Sequence, residues 1–318
     1  MIIFFQLSSP YLLDIYHLDI LYGMSFIKAI IKKMSGGVLL KIIDTVPFFL
    51  KYYESSLAFL KHYYSQYPKI FNEYFAYHCK DTEERHDQSL AKYPESLLAI
   101  QQVRRAIIPI IEEVVEEYGR LYQVTFPTEV NLIVGGYGSN AYTHRQIIPD
   151  VTFALERLSP KVEHLQAIVA HDFGHVAHNI LSSEAGMDWG KVQWDSPLIW
   201  LYQEGAAIHF SRQIAPQLPP AMYFSFDAEG EEWLRFFKEN THAVKSAFAH
   251  DYVQETSQSM FQEWFSINGG KRFGYNRLGY LVGDLLFQHF TKTKGERNAI
   301  TAWKEGRFRE EVERWFKR

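Results

Sequence analysis

Cysteine is almost absent from this chain: Cys79 is the single one among 318 residues. No intrachain disulfide can form, and such usage fits a reducing compartment. Cys79 itself reads as a small buried hydrophobe. An excess of one charge sign is missing too, since 33 basic residues face 37 acidic ones for a formal charge of -4. Without a sustained basic stretch to track phosphates, nucleic acid is not an expected partner. Long apolar runs are also lacking. Met1 to Gly23 is apolar and aromatic, yet no Lys or Arg precedes it and Asp14, His17 and Asp19 interrupt it. Its uninterrupted stretches fall well short of the roughly 18 residues a membrane span requires. No membrane span is expected, and a cytoplasmic location follows by default. Translation starting at Met24 or Met34 would leave residues 1–34 as an N-terminal extension with little structure. No internal repeat or low-complexity linker occurs.

What is abundant is material for a core: 47% of the residues are hydrophobic and 16% aromatic, enough for one large globular unit or two modest ones. From Leu39 to about Cys79 apolar residues recur three and four apart, the mark of amphipathic helices. Pro94 opens a long helical stretch from Glu95 to Tyr118, which Pro109 is placed to kink. The period then changes. Thr128 to Val134 reads as a short strand, a glycine-rich turn follows, and Asp150 to Leu155 reads as a second strand. Helices return over Val162 to Leu181 and Ser196 to Gln213 and continue to Arg318. The expected fold class is α+β and predominantly helical. Its expected parts are a helical region over 35–125, a core over 126–213 and a helical subdomain over 214–318.

The chemistry concentrates in His171-Asp172-Phe173-Gly174-His175. Leu165, Ile168, Val169, Phe173 and Val176 support a buried helix, on which residues four apart differ by only about 40° around the axis. His171 and His175 therefore point the same way, and two imidazoles so spaced reach one Zn2+ at about 2.0–2.1 Å. A third candidate ligand is Glu204, a carboxylate among Trp200, Leu201, Ala206 and Ala207. In such surroundings its charge needs a cation or donor to offset desolvation. Gly205 and Ala206 would let its helix approach the first one closely. His178, seven residues after His171 on the same face, is a further candidate ligand or a partner for one.

Together, His171-Asp172-Phe173-Gly174-His175 and Glu204-Gly205-Ala206-Ala207 resemble the gluzincins, especially predicted zinc-dependent proteases carrying H-E-x-x-H and E-G-x-A. The resemblance covers residues from about 95 to 318. It implies a zincin-like fold, Zn2+ held by His171, His175 and Glu204, and a peptide or protein substrate cleaved by zinc-activated water. Asp172 stands where the family keeps its glutamate base, so the resemblance gives it the base role. It is one methylene shorter, which sets its oxygens about 1.5 Å back, and a displacement of about 1 Å can cost on the order of 100-fold. Gly138 and Asn140 lie where the family aligns substrate backbone. Gly279-Tyr280-Leu281-Val282-Gly283 is similar to the family's Y-x-x-G, which implies an oxyanion-facing hydroxyl at Tyr280, with Tyr275 as substitute. Ile208 replaces an aspartate that orients a ligand histidine in some members, leaving Asn179, Glu184 or Asp188 for that task.

Two other outcomes follow from the same residues. A zincin-fold module that has lost hydrolysis would bind peptide or a partner without turnover. An HD-domain phosphohydrolase, which the His171–His175 segment also resembles, would recruit His144 and Asp251 as further metal ligands.

Overall fold

The computed structural model of the protein describes the backbone of residues 15–22, 25–33, 39–226 and 230–318, with side chains from Leu40 onward. It is an α+β fold in which helix predominates, and one mixed sheet organises the first half. The strands are β1 (Ile15–Tyr22), β2 (Ser25–Lys33), β3 (Leu39–Asp44), β4 (Glu129–Ile133), β5 (Ala141–Thr143) and β6 (Val151–Ala154), in the order β1-β2-β3-β4-β6-β5. β3, β4 and β6 run parallel, whereas β1, β2 and β5 join antiparallel to their neighbours.

Two stretches differ from what periodicity suggests. Leu39–Asp44, expected to be helical, is an interior strand with Leu40, Ile42 and Ile43 buried. Such a short apolar run suits a buried parallel strand as well as a helix, so spacing alone does not separate the two. Residues 15–22 and 25–33, expected to carry little structure, pair as a hairpin on this strand; their β-branched and aromatic content favours a strand. The expected extension also includes residues 1–14, which lie outside the described residues.

Four helices follow β3: α1 (Val46–Tyr52), α2 (Leu57–Gln66), α3 (Pro68–Tyr77) and the 40-residue α4 (Glu83–Tyr122). α4 starts earlier than Pro94 would suggest and carries both Pro94 and Pro109 internally. Its start is set by Thr82, whose hydroxyl accepts from Arg85 N–H, with Glu83 and Glu84 in the first turn. Asp44 fastens the sheet to these helices, accepting from Val46 N–H at 3.1 Å and from Arg104 at 2.6 Å.

The second half is helical: α5 (Val162–Glu184), α6 (Pro197–Ile214), α7 (Met222–Ser225), α8 (Gly230–Gln254), α9 (Ser257–Trp264), α10 (Leu278–Lys294), α11 (Glu296–Ile300) and α12 (Phe308–Phe316). α5 lies between α4 and α6. Tyr118 of α4 donates to the Ala170 carbonyl at 2.7 Å, and Phe126 meets Phe173 edge-on at 5.0 Å. None of the described helices is long and apolar enough to cross a membrane.

Candidate metal centre

Small residues decide how closely the three site helices approach. A Cβ placed on Gly174 of α5 would stand 3.0 Å from Ala207 Cα, and one on Gly205 of α6 would stand 2.1 Å from the Gly283 carbonyl oxygen of α10. The sequence suggests Gly205 and Ala206 for the close approach to α5. In the structure Ala207 makes that contact and Gly205 faces α10, because residues two apart on a helix differ by about 200° in direction. α6 is thus held between α5 and α10 at backbone distance, and Glu204 sits where all three meet.

There the imidazoles of His171 and His175 bring their Nε2 atoms to 3.2 Å. Glu204 Oε2 lies 3.2 Å from the first and 3.6 Å from the second. These are the only three groups among the described residues gathered closely enough to hold a metal ion. A tetrahedral zinc site with ligands at about 2.0–2.1 Å has donor-to-donor edges of about 3.3–3.4 Å, and the observed triangle has those proportions. Glu204 Oε2 is buried without a hydrogen-bond partner, a costly state for a carboxylate unless a cation meets it. Two imidazole nitrogens and one carboxylate oxygen are the donor set of a catalytic zinc ion, so the residues fit the group.

Electrostatics agree with a site poised for a cation. Burial lowers His171 to about 3, helped by the Arg277 charge, and lowers His175 to about 4, with Glu204 acting against it. Both rings are therefore neutral and carry lone pairs at ordinary pH. Burial raises Glu204, while His175, the Tyr280 hydroxyl and Arg277 pull it down. Asp172 is buried beside them; desolvation first and the Glu204 charge second hold it well above the carboxylate range.

Tyr280 reaches the site from α10. Its ring stacks on His171 with centroids 5.9 Å apart, and its hydroxyl favours the charged form of the Glu204 carboxylate. Burial, then the Glu204 charge, keep that hydroxyl protonated well above its usual range. Tyr275 instead stacks on Phe236 at 4.5 Å. Asn140 lines a cavity of about 470 Å³ that also reaches Phe226 and Arg277. Gly138 is already engaged: its N–H donates to Tyr74 Oη at 3.0 Å, while Glu156 accepts from Gly135 and Tyr137 N–H. The glycine turn is thereby held from within.

The remaining candidates lie apart. His178 donates through Nε2 to the Ile300 carbonyl at 2.8 Å and stacks on Trp303 at 4.6 Å. It shares the direction of His171 but lies about 10 Å farther along the axis. His144 bonds Thr152, and Asp251 takes bonds from Trp264 and Arg272, so neither joins the triad. Of the residues considered for orienting a ligand histidine, Asn179 donates to Ile147 O, Asp188 pairs with Lys191, and Glu184 is exposed. His171 Nδ1 has no partner among the described residues.

Two residues that the motifs do not mark also border the site. Phe226 meets the His171 ring at 5.0 Å, and the Arg277 guanidinium lies 5.5 Å from Phe226, 5.6 Å from Tyr280 and 5.2 Å from Trp233. Both have left-handed backbone, with φ of 61° and 50°, which costs a non-glycine residue about 1–2 kcal/mol. Strain of this kind collects at functional positions. Their side chains carry no spacing signal, which is why sequence inspection passes over them. Comparison with protein families, with curated proteins and with solved structures found no match to this chain.

Proposed function

We propose that the protein is a zinc-dependent peptide hydrolase of gluzincin type. The observation that carries this reading is the triangle of His171 Nε2, His175 Nε2 and Glu204 Oε2, whose sides of 3.2, 3.2 and 3.6 Å suit tetrahedral coordination. A bound zinc ion would polarise a scissile carbonyl and make water nucleophilic near neutral pH. The residues of the chain supply the rest. Asp172, buried next to the triad, would in its ionised form take the proton of the attacking water and pass it to the leaving amine. Tyr280, kept protonated, donates to the oxygen on which negative charge develops. His171 and His175, both neutral, hold their place in the site through the packing of α5.

A second reading has its own support. Asp172 is shorter than glutamate and buried, which favours a weakened or inactive descendant that binds peptide without turnover.

The test is metal analysis of purified protein together with peptide hydrolysis. About one zinc per chain is expected, with sharply lower occupancy in Glu204→Ala and loss of peptide cleavage in His175→Ala. Full zinc retention in Glu204→Ala would remove Glu204 from the site. Zinc binding without cleavage of any peptide would leave the binding reading.

A further inference from the structure

We propose that Arg277 recognises a substrate carboxylate, so that the protein acts on peptides, or on N-acyl amino acids, at the bond next to a free C-terminal carboxylate. This rests on the peptide-hydrolase reading above and adds its substrate class. Arg277 makes no ion pair among the described residues, and its Nε is buried without a hydrogen-bond partner. Its guanidinium is fixed instead by the rings of Phe226, Trp233 and Tyr280. Phe226 and Tyr280 also meet the His171 ring. The guanidinium and the metal triad thus flank the same two side chains.

The cavity of about 470 Å³ opens at this point. Among its described lining residues there is no carboxylate; Arg157, His164 and Arg277 are the titratable ones, and Asn140, Asn268 and Asn276 supply neutral hydrogen-bonding groups. Nothing in the described lining repels an anion. A planar guanidinium matches a carboxylate with two parallel hydrogen bonds, which a lysine at the same place would not reproduce. Because Phe226 and Tyr280 lie against both Arg277 and His171, a C-terminal residue whose carboxylate meets Arg277 is seated beside the triad. Apolar lining from Leu165, Ile168 and Phe226 suits a bulky C-terminal side chain.

Two measurements decide it. In the first, N-acetylphenylalanine and N-acetylphenylalanine amide are titrated into metal-free protein while tryptophan fluorescence is followed, because Trp233 adjoins Arg277. The acid is expected to bind at least tenfold more tightly than the amide, the difference disappearing in Arg277→Met and being partly kept in Arg277→Lys. Equal binding of acid and amide by the unaltered protein overturns the proposal, as does an acid preference that survives in a folded Arg277→Met. In the second, hydrolysis of hippuryl-phenylalanine is compared with that of its amide on zinc-loaded protein. A preference for the acid that falls at least tenfold in Arg277→Met supports the assignment, and one that survives in the folded variant overturns it. Selective binding without cleavage of either compound supports the carboxylate site and overturns the hydrolase reading instead.

Discussion

Gly205 of α6 and Gly283 of α10 meet backbone to backbone: a Cβ on Gly205 would lie 2.1 Å from the Gly283 carbonyl oxygen, and one on Gly283 would lie 2.2 Å from the Leu201 carbonyl oxygen. No rotamer change relieves such contacts, because the opposing atoms are main chain. Gly205→Ala is therefore expected to push the two helices apart and destabilise the fold by about 1–3 kcal/mol. Since Glu204 and Tyr280 ride on these helices, zinc affinity should fall as well, by tenfold or more. Thermal unfolding and zinc titration check both effects. Gly306→Ala is the control, as nothing lies within 4 Å of its added Cβ.

His178 separates the alternatives for the third ligand. It bonds the Ile300 carbonyl and stacks on Trp303, so His178→Ala removes packing and a buried hydrogen bond but no zinc donor. The variant should melt earlier, in line with a loss of about 1–3 kcal/mol, and still bind one zinc per chain. A variant that folds yet binds no zinc would make His178 a ligand.

The depressed histidines set a pH signature. Their folded values, about 3 for His171 and about 4 for His175, lie below the ordinary 6.5. The stability tied to their neutral form is present above pH 6.5 and is lost as pH falls through 4 and then 3. Between pH 5 and 6 both imidazoles in the folded metal-free protein are already unprotonated. The logarithm of zinc affinity should then rise by no more than about one per pH unit, Glu204 alone contributing, whereas two ordinary imidazoles would approach two. Competition with a chelator of known pH dependence measures the slope, and a slope near two contradicts the buried, neutral pair.

Asp172 tests whether reach limits turnover. Lengthening it by one methylene should bring the carboxylate about 1.5 Å forward. Asp172→Glu is accordingly expected to raise kcat/KM for peptide hydrolysis by about tenfold or more, at some cost in stability because the site is buried. Steady-state kinetics on the zinc-loaded protein provide the check; an unchanged or lower rate argues for a site fitted to the shorter acid.

Much of the second half was legible because long amphipathic helices repeat their pattern many times. α5 and α6 fall within a few residues of where periodicity sets them, and β4 and β6 likewise. The sheet was harder to see. Leu39–Asp44 is too short and too uniformly apolar to display a period of two, and β5 has only three residues. The place of Leu39–Asp44 in the sheet depends on pairing with β4, Lys41 opposite Glu129, a partner that lies in a different part of the chain.

The amino-acid sequence alone determined the face of α5 that carries His171 and His175, since helical geometry is local and repeats every few residues. It also determined that no intrachain disulfide forms and the supply of apolar residues for a core. Only the tertiary structure decided that Glu204 closes the triangle and His178 does not, that Ala207 faces α5 while Gly205 faces α10, and that Arg277 and Phe226 border the metal site. These outcomes depend on the angle and separation at which helices pack. Contacts between residues far apart in the chain set both quantities, and no local pattern encodes them.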